Sequence, residues 1–131
     1  MSLLANLFGF GASLYKRTSV SGESEASIKT DWEKINGLLK AKGPSNFRQA
    51  LITADRSFDT ALKDVSNGET MGERLKNVKE RFDRYTYNDI WEAHKLRNSL
   101  VHEAGFEPPY FVVEKAIGDL KKALEVLGVT V

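Results

Sequence analysis

The chain has 131 residues, of which 41% are hydrophobic and 28% are charged, and it contains no cysteine. This length and composition are typical of one globular domain with its own hydrophobic core. The absence of cysteine excludes thiol catalysis, disulfide bonds and metal sites with cysteine ligands. The net charge is +1, so binding to nucleic acid or to a membrane surface would depend on a local group of side chains.

Residues 1–15 form an apolar segment without any charged side chain. Its large apolar residues recur at helical spacing, and they include Leu3, Leu4, Leu7, Phe8 and Leu14. The segment could lie on a membrane surface as an amphipathic helix, pack on the domain or mediate assembly, or form a disordered arm. Lys16 and Arg17 follow the apolar stretch, whereas a signal peptide carries its positive charges before it.

Residues 18–27 are rich in Ser and Gly and therefore predict a linker. The chain is thus divided into an N-terminal arm and linker at 1–26 and a helical domain at 27–131. From Thr30 onward the apolar residues follow helical spacing throughout, and no convincing strand is found. The predicted fold class is all-α, an antiparallel helical bundle of four to five main helices preceded by the amphipathic segment.

Start and stop signals predict the bounds of the first two helices. Thr30 and Glu33 form a capping-box signature at the start of the first helix, and Gly43-Pro44 ends it. Ser45 is the predicted cap of the second helix, which Asn67-Gly68 closes.

The remaining helices are predicted in the same way. Thr70 and Glu73 form a second capping box, and residues 85–88 are predicted to be a short connection. A helix then runs from about 89 to 103, and the last helix extends from near Pro109 to Gly128.

The helix at 89–103 is covered on more of its circumference than a surface helix needs to be. On a helical wheel its covered arc contains Ile90, Ala93, Leu96, Arg97, Leu100 and Val101, extended by Trp91, His94, Asn98 and His102. The plainly solvated strip consists of Glu92, Lys95, Ser99 and Glu103. A central helix, or a helix shared with a partner chain, would explain this pattern.

Both histidines of the protein lie on this helix. His94, Asn98 and His102 are spaced i, i+4, i+8 and stack along one line. Arg97 is about 140° from His102 around an ideal helix, so helix geometry alone does not direct both groups at one point. The Arg97 side chain could wrap round the helix, or a two-fold axis could bring a second copy across.

These residue types suit metal-independent cleavage of an RNA phosphodiester. An imidazole is a general acid or base, a guanidinium grips phosphate oxygens, and an amide can orient an imidazole. The alternative is that His94, Asn98 and Arg97 are interior polar groups satisfied by neighbouring helices. His94 and His102 are about 12 Å apart along the axis, which disfavours a metal site made by the pair, and no cofactor is expected.

The stretch Arg97-Asn98-Ser99-Leu100-Val101-His102 resembles the Arg-Asn-x3-His form of the Arg-x4–6-His motif of HEPN domains. The resemblance covers about residues 28–129. It implies a small helical bundle, commonly dimeric, in a superfamily that includes RNase toxins, defence RNases and non-catalytic members. It also implies that Arg97 and His102 are the catalytic pair and Asn98 a polar helper. His94, which is additional to the family motif, and Glu103 are candidate supporting residues.

Two other groups of charged residues have two interpretations each. Lys76, Lys79, Arg81 and Arg84 could contact RNA beside Tyr85 and Tyr87, or they could form a solvated helix face with Glu73, Glu80 and Asp83 interleaved. Asp55 and Asp59 could be paired carboxylates, or they could form ordinary surface pairs with Arg48, Arg56 and Lys63.

The leading hypothesis is a toxin-like, dimeric, metal-independent endoribonuclease in the cytoplasm, with or without peripheral membrane association. One alternative is a non-catalytic dimerisation or assembly module, joined to a membrane or a partner subunit through the apolar residues of 1–15. Another is a nucleotide-binding protein without hydrolysis. The expected partners are a second copy or a higher homo-oligomer, and RNA or a nucleotide.

Overall fold

The structure is a computed structural model that describes residues 16–131. Within this range the protein is all-α, as predicted, and no strand occurs. The α-helices of this range are α1 (Gly22–Ala41), α2 (Pro44–Val65), α3 (Met71–Asn77), α4 (Arg84–His102) and α5 (Tyr110–Val126), with a 3-10 helix at Lys79–Arg81. The apolar residues Leu3, Leu4, Leu7, Phe8 and Leu14 lie outside the described residues.

Helix α2 is central to the bundle, because it packs against α1, α4 and α5. Its Leu51, Phe58 and Leu62 are fully buried in a core to which every α-helix contributes. A hydrogen bond from Trp32 Nε1 to Ser57 Oγ at 3.0 Å joins α1 to α2 within this core. Helices α4 and α5 pack against α2 and against each other.

Helix α1 begins earlier than the sequence patterns predict. Ser21 caps it, since its Oγ accepts the backbone N–H of Ser24 at 3.1 Å. Residues 22–27, predicted to belong to a linker, are therefore helical, and the boundary between 26 and 27 falls inside α1. Thr30 is not a cap but an interior residue, and its hydroxyl donates to the Ala26 carbonyl at 3.2 Å.

The predicted starts of α2 and α4 are also wrong. The N-cap of α2 is Gly43 with φ of 98°, and Pro44 rather than Ser45 follows it, because proline is well suited to the first helical position. Helix α4 begins at Arg84 because the Asp83 carboxylate accepts the Thr86 N–H at 2.8 Å, so residues 85–88 are helical and not a connection.

The other predicted signals are confirmed. Thr70 caps α3, and its Oγ1 accepts the backbone N–H of Glu73 at 3.1 Å. Helix α5 follows Pro109 and ends just before Gly128, whose φ of 91° suits glycine after a helix. None of the helices within residues 16–131 is both long enough and apolar enough to span a bilayer.

Candidate functional site

A buried carboxylate on α2 lies at the centre of the candidate site. Asp55 is only 3% exposed, and both of its carboxylate oxygens are 3.1 Å from Nδ1 of His94 on α4. Its Oδ2 is also 3.7 Å from Nε of Arg97, one turn further along α4. One acidic side chain of α2 thus faces an imidazole and a guanidinium of α4.

This contact assigns a proton to Nδ1 of the His94 ring. A buried carboxylate needs a hydrogen-bond donor. Nδ1–H of His94 is assigned as this donor, because Nδ1 lies within hydrogen-bond distance of the Asp55 carboxylate. With the proton of a neutral ring on Nδ1, Nε2 is the acceptor nitrogen. The ring is further fixed by an edge-to-face contact with Trp91 at a centroid distance of 6.2 Å.

The Arg97 guanidinium is positioned but incompletely hydrogen-bonded. Its Nη1 donates to Oδ1 of Asn98 at 3.0 Å, which is its only hydrogen bond within residues 16–131. Its Nε is buried, and the 3.7 Å to Asp55 is too long for a hydrogen bond. Because the side chain is 32% exposed, its remaining N–H donors can reach an external anion.

His102 lies apart from these groups within one chain. It is the last residue of α4 and is exposed, and among the described residues no hydrogen bond or ion pair joins it to Arg97 or Asn98. That one chain does not direct Arg97 and His102 at the same point stays a prediction. Glu103 is also exposed, and its backbone N–H closes the helix on the Ser99 carbonyl.

The covered arc of α4 is shorter than predicted. Ile90, Ala93 and Leu100 are buried, but Val101 and His102 are exposed. After His102 the chain runs without a helix until Tyr110.

The second acidic residue of α2 has a structural role. Asp59 accepts two hydrogen bonds of 2.8 Å from Nε and Nη2 of Arg74, whose Nη1 donates to the Gly68 carbonyl at 2.8 Å. Lys63 is 3.9 Å from Asp59, and Arg56 pairs with Asp31 instead. The interpretation as ordinary surface pairs is therefore wrong for Asp55, which is buried, and for Asp59 it holds only for the long contact with Lys63.

Sequence reasoning missed Asp55 as a site residue. A signal was available, because Asp55 is surrounded in the helical repeat by the apolar Leu51, Ala54, Phe58 and Leu62. An acid on the apolar side of a helix needs a partner from another element. Which partner it meets is decided by the packing of α2 on α4, which the sequence pattern does not specify.

The basic residues before α4 lie beside aromatic rings. Nζ of Lys76 is 5.9 Å from the centroid of the Trp91 ring, and Nζ of Lys79 is 5.3 Å from that of Tyr87. Within the described part of the chain, no carboxylate forms an ion pair with Lys76, Lys79, Arg81 or Arg84. The interleaved acids contact other groups, since Glu73 accepts the Glu69 N–H and Asp83 caps α4.

Among residues 16–131, no three His, Asp or Glu side chains come together in a way that could hold a metal ion. Comparison of the chain with protein-family models, with curated proteins and with solved structures gives no match.

Proposed function

We propose that this protein is a dimeric, HEPN-like, metal-independent endoribonuclease. The observation that carries the proposal is the Arg97 guanidinium, which Asp55 and Asn98 orient while most of its N–H donors have no acceptor among residues 16–131. Such a group is suited to bind a phosphate and to stabilise negative charge as it develops there. The Arg-Asn-x3-His spacing supports the same assignment.

The reaction needs one base and one acid. The 2′-hydroxyl loses its proton to an imidazole and attacks the adjacent phosphorus, forming a new P–O2′ bond. The P–O5′ bond then breaks as a second imidazole protonates the departing oxygen, which leaves a 2′,3′-cyclic phosphate and a 5′-hydroxyl. Two copies of His102 related by a two-fold axis would supply both imidazoles, and Arg97 would stabilise the phosphorane.

Cleavage of single-stranded RNA in the presence of EDTA tests this proposal. We expect cyclic-phosphate products from the wild type, and a rate lowered by about 10²–10⁴-fold in His102→Ala and Arg97→Ala. Lys95→Ala is the matched control, because Lys95 is an exposed residue of the same helix that pairs with Glu92. A single 2′-deoxy substitution at the cleaved position should block the reaction.

Two results would contradict this function. One is a folded wild type that cleaves no RNA, and the other is a His102→Ala variant that cleaves as fast as Lys95→Ala. Mass spectrometry of the product ends separates this activity from a contaminating metal-dependent nuclease, which would be inhibited by EDTA.

A specific observation favours the non-catalytic assembly module as a second candidate. Large apolar side chains are exposed along the chain from the end of α4 to the start of α5, namely Val101, Phe106, Tyr110 and Phe111, of which Phe111 is 72% exposed. Exposed apolar groups of this kind are typical of protein interfaces. This candidate predicts that Phe111→Ser lowers the oligomeric state of a protein that does not cleave RNA.

A further inference from the structure

The side of α4 that carries His94 and Asn98 continues toward the start of the helix as a row of aromatic rings. The ring centroids of Tyr87 and Trp91 are 6.3 Å apart and those of Trp91 and His94 are 6.2 Å apart, both edge-to-face. With 3.6 residues per turn, positions 87, 91, 94, 98 and 102 lie within about 80° of one another around the helix. This side of α4 extends for about 22 Å from Tyr87 to His102.

Cations lie over the same rings. The ammonium of Lys76, on α3, is over Trp91, and that of Lys79, in the 3-10 helix, is over Tyr87. Trp91 can pack this closely on α3 because Gly72 has no side chain, since a Cβ there would be 3.1 Å from Cη2 of the indole. The segment before α4 thus places positive charge along the aromatic row.

An open cleft of about 650 Å³ lies at the Tyr87 end of the row. Its lining consists of Lys79, Glu80, Phe82, Arg84, Tyr87 and Asn88. The Tyr87 ring forms part of this lining, the Asn88 amide both donates and accepts, and Lys79 and Arg84 outnumber the one carboxylate. Unpaired bases bind to aromatic rings of this kind while neighbouring cations hold the phosphates.

We infer that the strip formed by Lys76, Lys79, Arg84, Tyr87 and Trp91 binds an unpaired segment of RNA, with one base in the cleft against Tyr87. This inference rests on the proposed function, since the strip leads along α4 toward Asn98 and His102. A duplex does not fit, because its base faces are stacked inside and its deep groove is too narrow for side chains. The strip therefore selects single-stranded substrate.

Fluorescence anisotropy with a short single-stranded RNA tests the strip without requiring cleavage. The full chain carrying His102→Ala serves as the reference, and each strip variant is added to it. We expect Tyr87→Ala and Lys79→Ala each to weaken binding by about tenfold, whereas Tyr87→Phe, which keeps the ring, retains it. The reference should bind the RNA more tightly than a duplex of the same sequence.

Two exposed residues provide matched controls. Tyr85 is 79% exposed and lies on the opposite side of α4 from Tyr87, about 160° away around the helix. Lys34 is exposed on α1, which packs against α2. Tyr85→Ala and Lys34→Ala should bind RNA as the reference does, and circular dichroism should show the same helical content in all variants.

The inference is overturned if Tyr87→Ala and Lys79→Ala bind as well as the controls, or if the duplex binds as tightly as the single strand. It is also overturned if the folded reference binds no RNA. Failure of the proposed function is a separate result, because it is loss of EDTA-resistant cleavage by the wild type. An RNA-binding strip on a protein that does not cleave would leave this inference standing.

Discussion

The Asp55 carboxylate, 3% exposed, is 3.1 Å from Nδ1 of His94 and 3.7 Å from Nε of Arg97. At the scale of single residues, this contact decides how two functional side chains of α4 are oriented. Asn98 orients the guanidinium from its other side through the 3.0 Å hydrogen bond to Nη1. Because other N–H donors of Arg97 have no acceptor among residues 16–131, these contacts orient the guanidinium and leave donors for an external anion.

Removal of the Asp55 carboxylate should therefore destabilise the protein more than removal of an exposed acid. Asp55→Ala leaves the buried Nδ1–H of His94 without an acceptor and Arg97 without a counter-ion, so we expect a loss of about 1–3 kcal/mol in the free energy of unfolding. The matched control is Glu92→Ala, which removes a carboxylate that is 74% exposed and pairs with Lys95 on the same helix, and it should cost less than about 1 kcal/mol. Urea denaturation measures both, and an equal loss in the two variants would contradict the role given to Asp55.

At the scale of elements, three of the five α-helices in residues 16–131 begin at a polar side chain that caps them. Ser21 caps α1, Thr70 caps α3 and Asp83 caps α4 through the Thr86 N–H. The cap on α4 matters for the site, because it sets where the helix that carries Tyr87 begins. The Asp83 carboxylate also accepts a hydrogen bond from the Thr86 hydroxyl at 3.1 Å.

The cap on α4 should make stability depend on pH. The hydrogen bond from the Thr86 N–H, and then that from its hydroxyl, lower the pKa of Asp83 below 3.8. A group whose pKa is lowered by folding contributes stability above its unfolded pKa and loses it as the pH falls through the folded pKa. Asp83→Ala should therefore lower the Tm at neutral pH, and the difference from the wild type should narrow well below pH 3.8.

Thermal unfolding monitored by circular dichroism measures this effect. Thr70→Ala is the matched control, because it removes a cap that has no titratable group. A difference in Tm between Asp83→Ala and the wild type that stays constant on acidification would show that the carboxylate charge does not stabilise α4.

The sequence predicted helical spacing well and helix starts poorly. The all-α class and the ends at Asn67-Gly68 and Gly128 followed from apolar periodicity and from glycine. Ser21 and Asp83 were missed because a polar residue is a cap only when the backbone turns there, and many polar residues precede apolar runs. The starts predicted at Thr30 and Ser45 were wrong for the same reason.

Sequence patterns predicted only those features of the site that lie within one helix. Arg97 and Asn98 are adjacent in sequence, so their contact needs no tertiary information. The separation of Arg97 and His102 followed from 3.6 residues per turn. The partnership of Asp55 with His94 and Arg97 spans two helices and depends on how α2 packs against α4, which local patterns do not encode.

At the scale of the whole molecule, the proposed site is complete only when two chains combine. Within one chain Arg97 faces Asp55 on the buried side of α4, whereas His102 is exposed at its end. Val101 precedes His102 in the chain, and Phe111 lies on the next helix. Both side chains are apolar and exposed, which suits them to contact a second copy. A two-fold axis would then bring His102 of one chain to Arg97 of the other.

A heterodimer of one wild-type chain and one His102→Ala chain tests this arrangement most directly. The two chains are co-expressed with different tags, and the species carrying both tags is purified and assayed for RNA cleavage in EDTA. Because the proposed reaction takes its base and its acid from the two copies of His102, this heterodimer should be about as inactive as the His102→Ala homodimer. A folded heterodimer that cleaves at about half the rate of the wild type would contradict a site shared between chains.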